Sequence, residues 1–574
     1  MALRDLRHLD DCSLDARVCI IGAGAAGVTL ACELDGCGHR VLLIEAGELR
    51  SEDRFADYYR GEASAPHPDP GRFRRVAFGG TTGLWGGRCV ALDPVDFEFR
   101  EHVAHSGWPI GYAELARHYP RALEYCDAGQ FDFTVSGSLR APAPTIEGFD
   151  GGGLVTTDCI ERYSLPTDFG KRYRRRILDS GNVFAVLGAR CLRLIRDPGA
   201  DRIGAAEVID AAGRKRTVRA DVFVLATGGI EVPRLLMLSD PQGPGLGNRT
   251  DQLGRYYMCH FENLIGRLAP RSANVVFKFE RTDDGVYCRR QFRFSPAALQ
   301  RHRLLNTAFR LHFPSYSDAS HGSGVMSGIY LLKSLLLPEY RAILQQNIYA
   351  VHSPTIAHLR NVLTGLPQIA AFGVDWLFRI QLARRKLPYT LVPNADGSFP
   401  IELNSEQIPR ASNRITLARE TDAHGLRRVR VEWGLSEAEI DAAYRSILLF
   451  QEVVGRAGAA RLELDTPRLR EQLRDSPPLG GHHIGTARMA STENSGVVDR
   501  NCAVFGIPNL FVASSAVFPT SGHANPTLTI VAVAVRLAAH LRASFEQPAL
   551  EALGRSSGAS AGAEPSGGVL KSCT

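Results

Sequence analysis

The legible part of the chain opens with a short β-branched run, Arg17 to Ile21. It meets glycines, then a helix of small residues, then a second apolar run, VLLIE, ending at Glu45. Strand, helix and strand in that order predict a β-α-β unit. Residues 71–100 read as a glycine-rich loop region, and 180–240 hold several strands, the last ending in DVFVLATGG. From about 256 to 435 the pattern changes to runs typical of antiparallel strands (VVFKFER, YCRRQFRF, NTAFRLHF, NRITLARE, RRVRVEW) with helical inserts. Ser436-Glu-Ala-Glu439 is a capping box and predicts a helix running toward Gly455. Residues 480–545 return to tight, glycine-punctuated α/β sequence, and the tail from Gly554 is small, polar and expected to be disordered. The expected fold class is α/β (α+β). A Rossmann-like domain in two pieces, 15–255 and 476–545, carries an inserted, mainly antiparallel-sheet domain, 256–475, with a tail over 554–574.

Within the inserted domain, 325–387 reads as Leu-rich helices ending in Arg384, Arg385 and Lys386. The expectation is a helical insertion packed on its own domain or on another copy, with a membrane surface or a lipid substrate as the alternative. Hydrophobic residues make up 44% of the 574 and charged residues 22%, which excludes a wholly disordered or fibrous chain. The net charge of +6 is too small and dispersed to argue for nucleic acid as a partner. Twelve cysteines show no C-x-x-C pair and no zinc-like spacing, so reduced thiols and no bound metal are expected. With a charged N-terminus and no convincing transmembrane stretch, a cytoplasmic protein without an integral membrane span is expected.

The chemistry starts at Gly22-Ala-Gly24-Ala25-Ala26-Gly27. Gly22 permits a tight turn, Gly24 lets a pyrophosphate approach the backbone, and Gly27 lets helix and strand pack closely. The helix N-terminus then offers unpaired N–H groups to phosphate. Glu45, with Ala46 behind it, ends the second strand where a carboxylate can accept hydrogen bonds from an adenosine ribose; a 2′-phosphate there would meet like charge. A dinucleotide site follows, and two further segments choose its kind. Phe78 to Arg88 (FGGTTGLWGGR) is a second glycine-dense loop, with Gly80, Thr81, Trp85, Gly86 and Gly87 able to lay bare backbone along a flat ring. Ala226-Thr227-Gly228-Gly229 ends a strand and leads into a helix able to close over the first site. A dinucleotide wrapped from so many places fits a permanently held flavin better than a nicotinamide.

Together with HHIGTARM and the segment from Gly496 to Leu541, these pieces resemble the glucose-methanol-choline (GMC) oxidoreductase family. The Asn-Pro-Thr-Leu-Thr of its C-terminal motif is most similar to the branch of pyranose oxidases and bacterial sugar oxidoreductases. The resemblance implies FAD, an electron acceptor (O2, a quinone or a carrier) and a catalytic pair at His482 and Asn525. His483 and His523 are the competitors for the base. Where members with covalent flavin carry a histidine in the glycine-rich loop, this chain has Leu84, implying FAD held without a covalent link. The resemblance also places Asp499, Ala513 and Ser514 beneath the FAD pyrophosphate, and Cys191 near adenine. Pro526 and Thr527 open an apolar helix whose N–H groups could face the flavin pyrimidine.

The implied reaction removes a proton from oxygen and a hydride from carbon. A neutral imidazole suits the first task, so His482 is the expected base, and the Asn525 amide orients the substrate oxygen. The expected substrate is the CH–OH group of a sugar, glycoside or other polyol. A sterol or long-chain alcohol, or non-redox lyase chemistry in the same fold, are the alternatives.

Overall fold

The computed structural model describes residues 3–6, 14–336, 353–389, 392–478 and 481–558. Strand β1 (Asp15–Ile21) is flanked in parallel by β2 (Val41–Ile44) and β3 (Lys215–Leu225), at the centre of a nine-stranded sheet. Ile21 pairs with Ile44 on one side and with Leu225 on the other. All three strands therefore stop at one edge. The glycine turn, Glu45 and the Ala226–Gly228 segment emerge together there, at the carboxyl ends of parallel strands, where open α/β sheets bind ligands. Ile507–Val512 joins the same edge, Val512 beside Leu225. Helix α1 (Ala25–Glu33) follows β1 and is nearly all buried, and α2 (Pro526–Gly558) packs against it. The Pro526–Glu546 stretch is long and apolar enough to cross a membrane, but Leu528, Val531, Leu537 and Leu541 are core residues here. Because α2 runs to Gly558, residues 554–558 are helical rather than disordered; 559–574 lie outside the described residues.

A second sheet of six strands is antiparallel throughout. Its centre is β4 (Phe261–Pro270) against β5 (Phe399–Ser405). The helix Glu437–Ala457 covers it, with Phe450 stacked on Phe309 at 4.2 Å. That helix starts at the capping box: the Ser436 hydroxyl accepts from Glu439 N at 3.3 Å, and the Glu439 carboxylate accepts from Ser436 N at 2.6 Å.

The hairpin Arg414–Thr421 and Arg427–Glu432 is antiparallel, and its second strand pairs with Gly61–Ala63 in a separate three-stranded sheet. One expectation for the middle of the chain is corrected. Of VVFKFER only Glu280–Arg281 is strand, in a four-stranded sheet with Tyr287–Arg290, Ile160–Tyr163 and Arg88–Cys89. The insertion is helical, as Gly324–Leu336, Thr355–Thr364 and Leu366–Trp376, but the last of these buries no side chain. It packs on Gly324–Leu336 and Thr355–Thr364 within the insertion, but leaves its side chains partly or wholly exposed.

Candidate active site

A cavity of about 550 Å³ lies between the carboxyl edge of the large sheet and the six-stranded sheet. At its phosphate end, Gly22 has φ +101°, and a Cβ there would sit 2.8 Å from the Ala226 carbonyl. A Cβ on Gly27 would sit 1.9 Å from the Gly22 carbonyl oxygen, so this glycine serves helix–strand packing. At Gly24 a Cβ would meet nothing within 4 Å, since the position faces the cavity. Gly24 caps α1 without any side-chain hydrogen bond, leaving the first-turn N–H groups toward the same space. The second glycine loop closes onto the first: a Cβ on Gly80 would come 2.9 Å from Gly24 Cα.

Glu45 is buried, with one carboxylate oxygen accepting from Ala23 N at 2.9 Å and the other from Gly47 N at 2.8 Å. Burial pushes its carboxyl up to about 7, against the pull of these backbone donors.

Three elements meet around His482. His260, just before β4, places Nδ1 2.7 Å from His482 Nδ1, the two rings nearly perpendicular. His260 Nε2 lies 2.9 Å from the Gly522 carbonyl oxygen, which can only accept, so Nε2 carries the proton. Burial holds His260 down at about 4, hence neutral, and its bare Nδ1 accepts from His482 Nδ1–H. His482 therefore presents a lone pair at Nε2, to which Asn525 Nδ2 donates at 3.1 Å. Burial first, then the His260, Arg88, His483 and Arg310 neighbours, hold His482 well below the usual imidazole range.

The cavity wall includes Gly22, Gly24, Ala25, Ala26, Glu45, Ala46, Gly80, Thr81, Leu84, Trp85, Gly86, Cys191, Ala226, Thr227, Gly228, His482, Ser514, Asn525, Pro526 and Thr527. Four expected cofactor residues stand off it. Gly27 is wedged behind the first turn, and Gly87 (φ +76°) is pressed against Ser164 and Pro166. Asp499 turns its carboxylate onto Asn501 N and Ala503 N, and Ala513 is fully buried, its N–H on the Leu225 carbonyl. Of the competing bases, His483 reaches the cavity, while His523 lies outside it, 3.5 Å from Asp93.

Several wall residues carried no local sequence signal. Tyr59 lies under the Arg74 guanidinium at 3.6 Å, and Tyr58 under Arg190 at 4.0 Å. On the opposite wall stand Arg88, Glu262, Tyr163 and Tyr389. Arg88 is 3.6–3.9 Å from Glu161, Glu262 and Glu402, and Arg310 lies between the same three acids. Burial and the adjacent Glu402 push the Glu262 carboxyl up from the usual carboxylate range where it faces the cavity. A polar buried wall with matched charges is suited to a hydroxylated ligand rather than an alkyl chain.

The comparisons agree with this architecture. A family profile described as FAD dependent oxidoreductase matches residues 17–305, and one described as GMC oxidoreductase matches 409–534. The chain belongs to the FAD-dependent oxidoreductases, and among them to the GMC oxidoreductase family. It is similar to the 2-methyl-1,2-propanediol dehydrogenase of Mycolicibacterium austroafricanum, at 23% identity over 92% of this chain and 95% of that one. The fructose dehydrogenase large subunit of Gluconobacter japonicus is also 23% identical, over 92% and 97% of the two chains. Among solved structures, a formate oxidase of Aspergillus oryzae RIB40 shares the fold with a TM-score of 0.53, 16% identity and coverage of 94% and 100%. The protein is thus an FAD-dependent enzyme acting on alcohols or sugars.

The residues present fit FAD. Thr227 Oγ1 and Asn525 Oδ1 are buried at the cavity wall with no hydrogen-bond partner, as groups awaiting a ligand are. The Gly24 position gives a pyrophosphate room beside free helix N–H groups, and each Glu45 oxygen keeps a lone pair for a ribose hydroxyl.

Proposed function

We propose that the protein oxidises a CH–OH group of a sugar, glycoside or other polyol, with His482 as the base. The carrying observation is the chain from the Gly522 carbonyl through His260 to His482, which leaves the His482 Nε2 lone pair in the cavity. When bound, FAD supplies the acceptor for the hydride. His482 Nε2 takes the hydroxyl proton as the C–H bond breaks, and the developing imidazolium keeps its Nδ1–H on His260. The Asn525 amide, which donates to that same lone pair at 3.1 Å before substrate enters, turns its N–H to the substrate oxygen as the hydroxyl takes its place on Nε2. Arg88 and Glu262 offer hydrogen-bonding partners to the remaining hydroxyls, which favours a polyol over a sterol or long-chain alcohol.

FAD sits here without a covalent bond on this reading, since Leu84, 61% exposed at the cavity, has no nucleophile to offer. The place of work is the cytoplasm, in keeping with free thiols at all ten cysteines among the described residues.

The test is anaerobic bleaching of flavin absorbance by sugars, glycosides and long-chain alcohols in parallel. Reduction is expected with a polyol, and His482→Ala should stay yellow while reduction slows by at least ~10²-fold. Undiminished reduction in that variant would remove His482 from the mechanism.

A further inference from the structure

The helical insertion exposes apolar surface of a kind seen nowhere else in the described molecule. Eleven of its seventeen exposed large apolar side chains fall between residues 332 and 382. The helix Leu366–Trp376 and the turn Leu377–Gln381 that continues it bury no side chain, although LPQIAAFGVDWLFRIQ is apolar apart from a narrow stripe of Gln368, Asp375 and Arg379 and the terminal Gln381. A helix with so wide an apolar face ordinarily has it covered. Leu363 is 70% exposed, Phe378 62% and Leu382 67%. These are not frayed ends: Arg385 donates to the Tyr163 and Asp127 carbonyls at 3.1 and 3.0 Å, and Leu387 is buried beside Tyr163.

Charge says what covers it. Over 353–389 the described chain holds five cations and one anion; Arg379 pairs the anion, Asp375, at 2.7 Å and Arg385 is turned inward on backbone carbonyls, which leaves Arg360, Arg384 and Lys386 facing out. A second copy docked symmetrically would set this cationic segment against itself. An anionic bilayer answers both features, taking Leu, Phe and Trp side chains into its headgroup–acyl boundary and the Arg and Lys heads among lipid phosphates. We propose that the 353–386 segment docks the protein on the surface of a membrane rich in anionic phospholipid, lying in the interface rather than crossing it. Its ~11-residue main helix spans only about 17 Å, too short to cross.

The test is sedimentation of the full-length, FAD-loaded protein with vesicles of phosphatidylcholine alone or mixed with phosphatidylglycerol. The protein should partition onto the phosphatidylglycerol vesicles and less onto the others. Leu363→Glu/Phe378→Glu, both exposed and away from the cavity, should weaken that partition at least ~10-fold while flavin content and oxidation of a soluble alcohol stay unchanged. Lack of binding to phosphatidylglycerol vesicles would overturn the proposal, as would equal binding by the variant. Self-association in lipid-free buffer that the variant abolishes would assign the surface to a second copy instead. None of these outcomes depends on which alcohol the enzyme oxidises.

Discussion

What primes His482 is the nitrogen facing away from substrate. With Nδ1–H committed to His260, the tautomer with a bare Nε2 is the one that fits the site. Replacing His260 by Phe removes that acceptor, and reduction should slow by ~10–100-fold with FAD still bound, as single-turnover absorbance would show. Because His482 is held below the usual imidazole range, it stays unprotonated through neutrality. The reduction rate should therefore show no fall near pH 6.5 and decline only at lower pH; a midpoint near 6.5 in the pH profile would contradict this. Glu45 carries the opposite sign. Its carboxyl is raised to about 7, and ribose hydroxyls donating to it favour the ionised form, so binding expels the proton. FAD affinity should rise between about pH 6 and 8, and Glu45→Gln should flatten that rise in an apoprotein titration. Gly22, Gly24 and Glu45 were legible from a short motif whose spacing is fixed by local backbone, whereas His482 and Asn525 came from the family resemblance alone. His260, Arg88 and Glu262 were not legible, since separate sheets bring them together.

At the scale of elements, two glycines three residues apart separate stability from binding. A methyl group on Gly27 collides with the Gly22 carbonyl, whereas one on Gly24 points into open cavity. Gly27→Ala should lower the thermal midpoint of the apoprotein. Gly24→Val should leave that midpoint nearly unchanged yet yield colourless protein, and a yellow Gly24→Val would misplace the pyrophosphate. Ser436, legible as a cap from four residues of sequence, caps its helix in the fold, and Ser436→Ala should cost about 1 kcal/mol in denaturant unfolding. Strand pairing was harder to read than capping. The hairpin of Arg414–Thr421 and Arg427–Glu432 reads as antiparallel strands, but no local pattern announces that its second strand pairs with Gly61–Ala63, some 370 residues earlier. Asp499 and Ala513 entered the expected site through the family resemblance; the turn at 499–503 and the pairing beside Leu225 keep both off the cavity wall.

Over the whole molecule, the cavity belongs to neither sheet alone. One sheet edge supplies the glycine turns and Glu45, while the approach to β4 supplies His260, and the two meet across the bond from His260 to the Gly522 carbonyl. That bond joins segments 262 residues apart in sequence. Flavin contacts, by contrast, are concentrated on the large sheet and its loops. The two properties should consequently fail in sequence on heating. Turnover should disappear at a temperature where the protein is still yellow and its flavin fluorescence still quenched, and the pigment should escape only later. Such an enzyme would fade in activity before it fades in colour, so that a vivid preparation is no warranty of a working one.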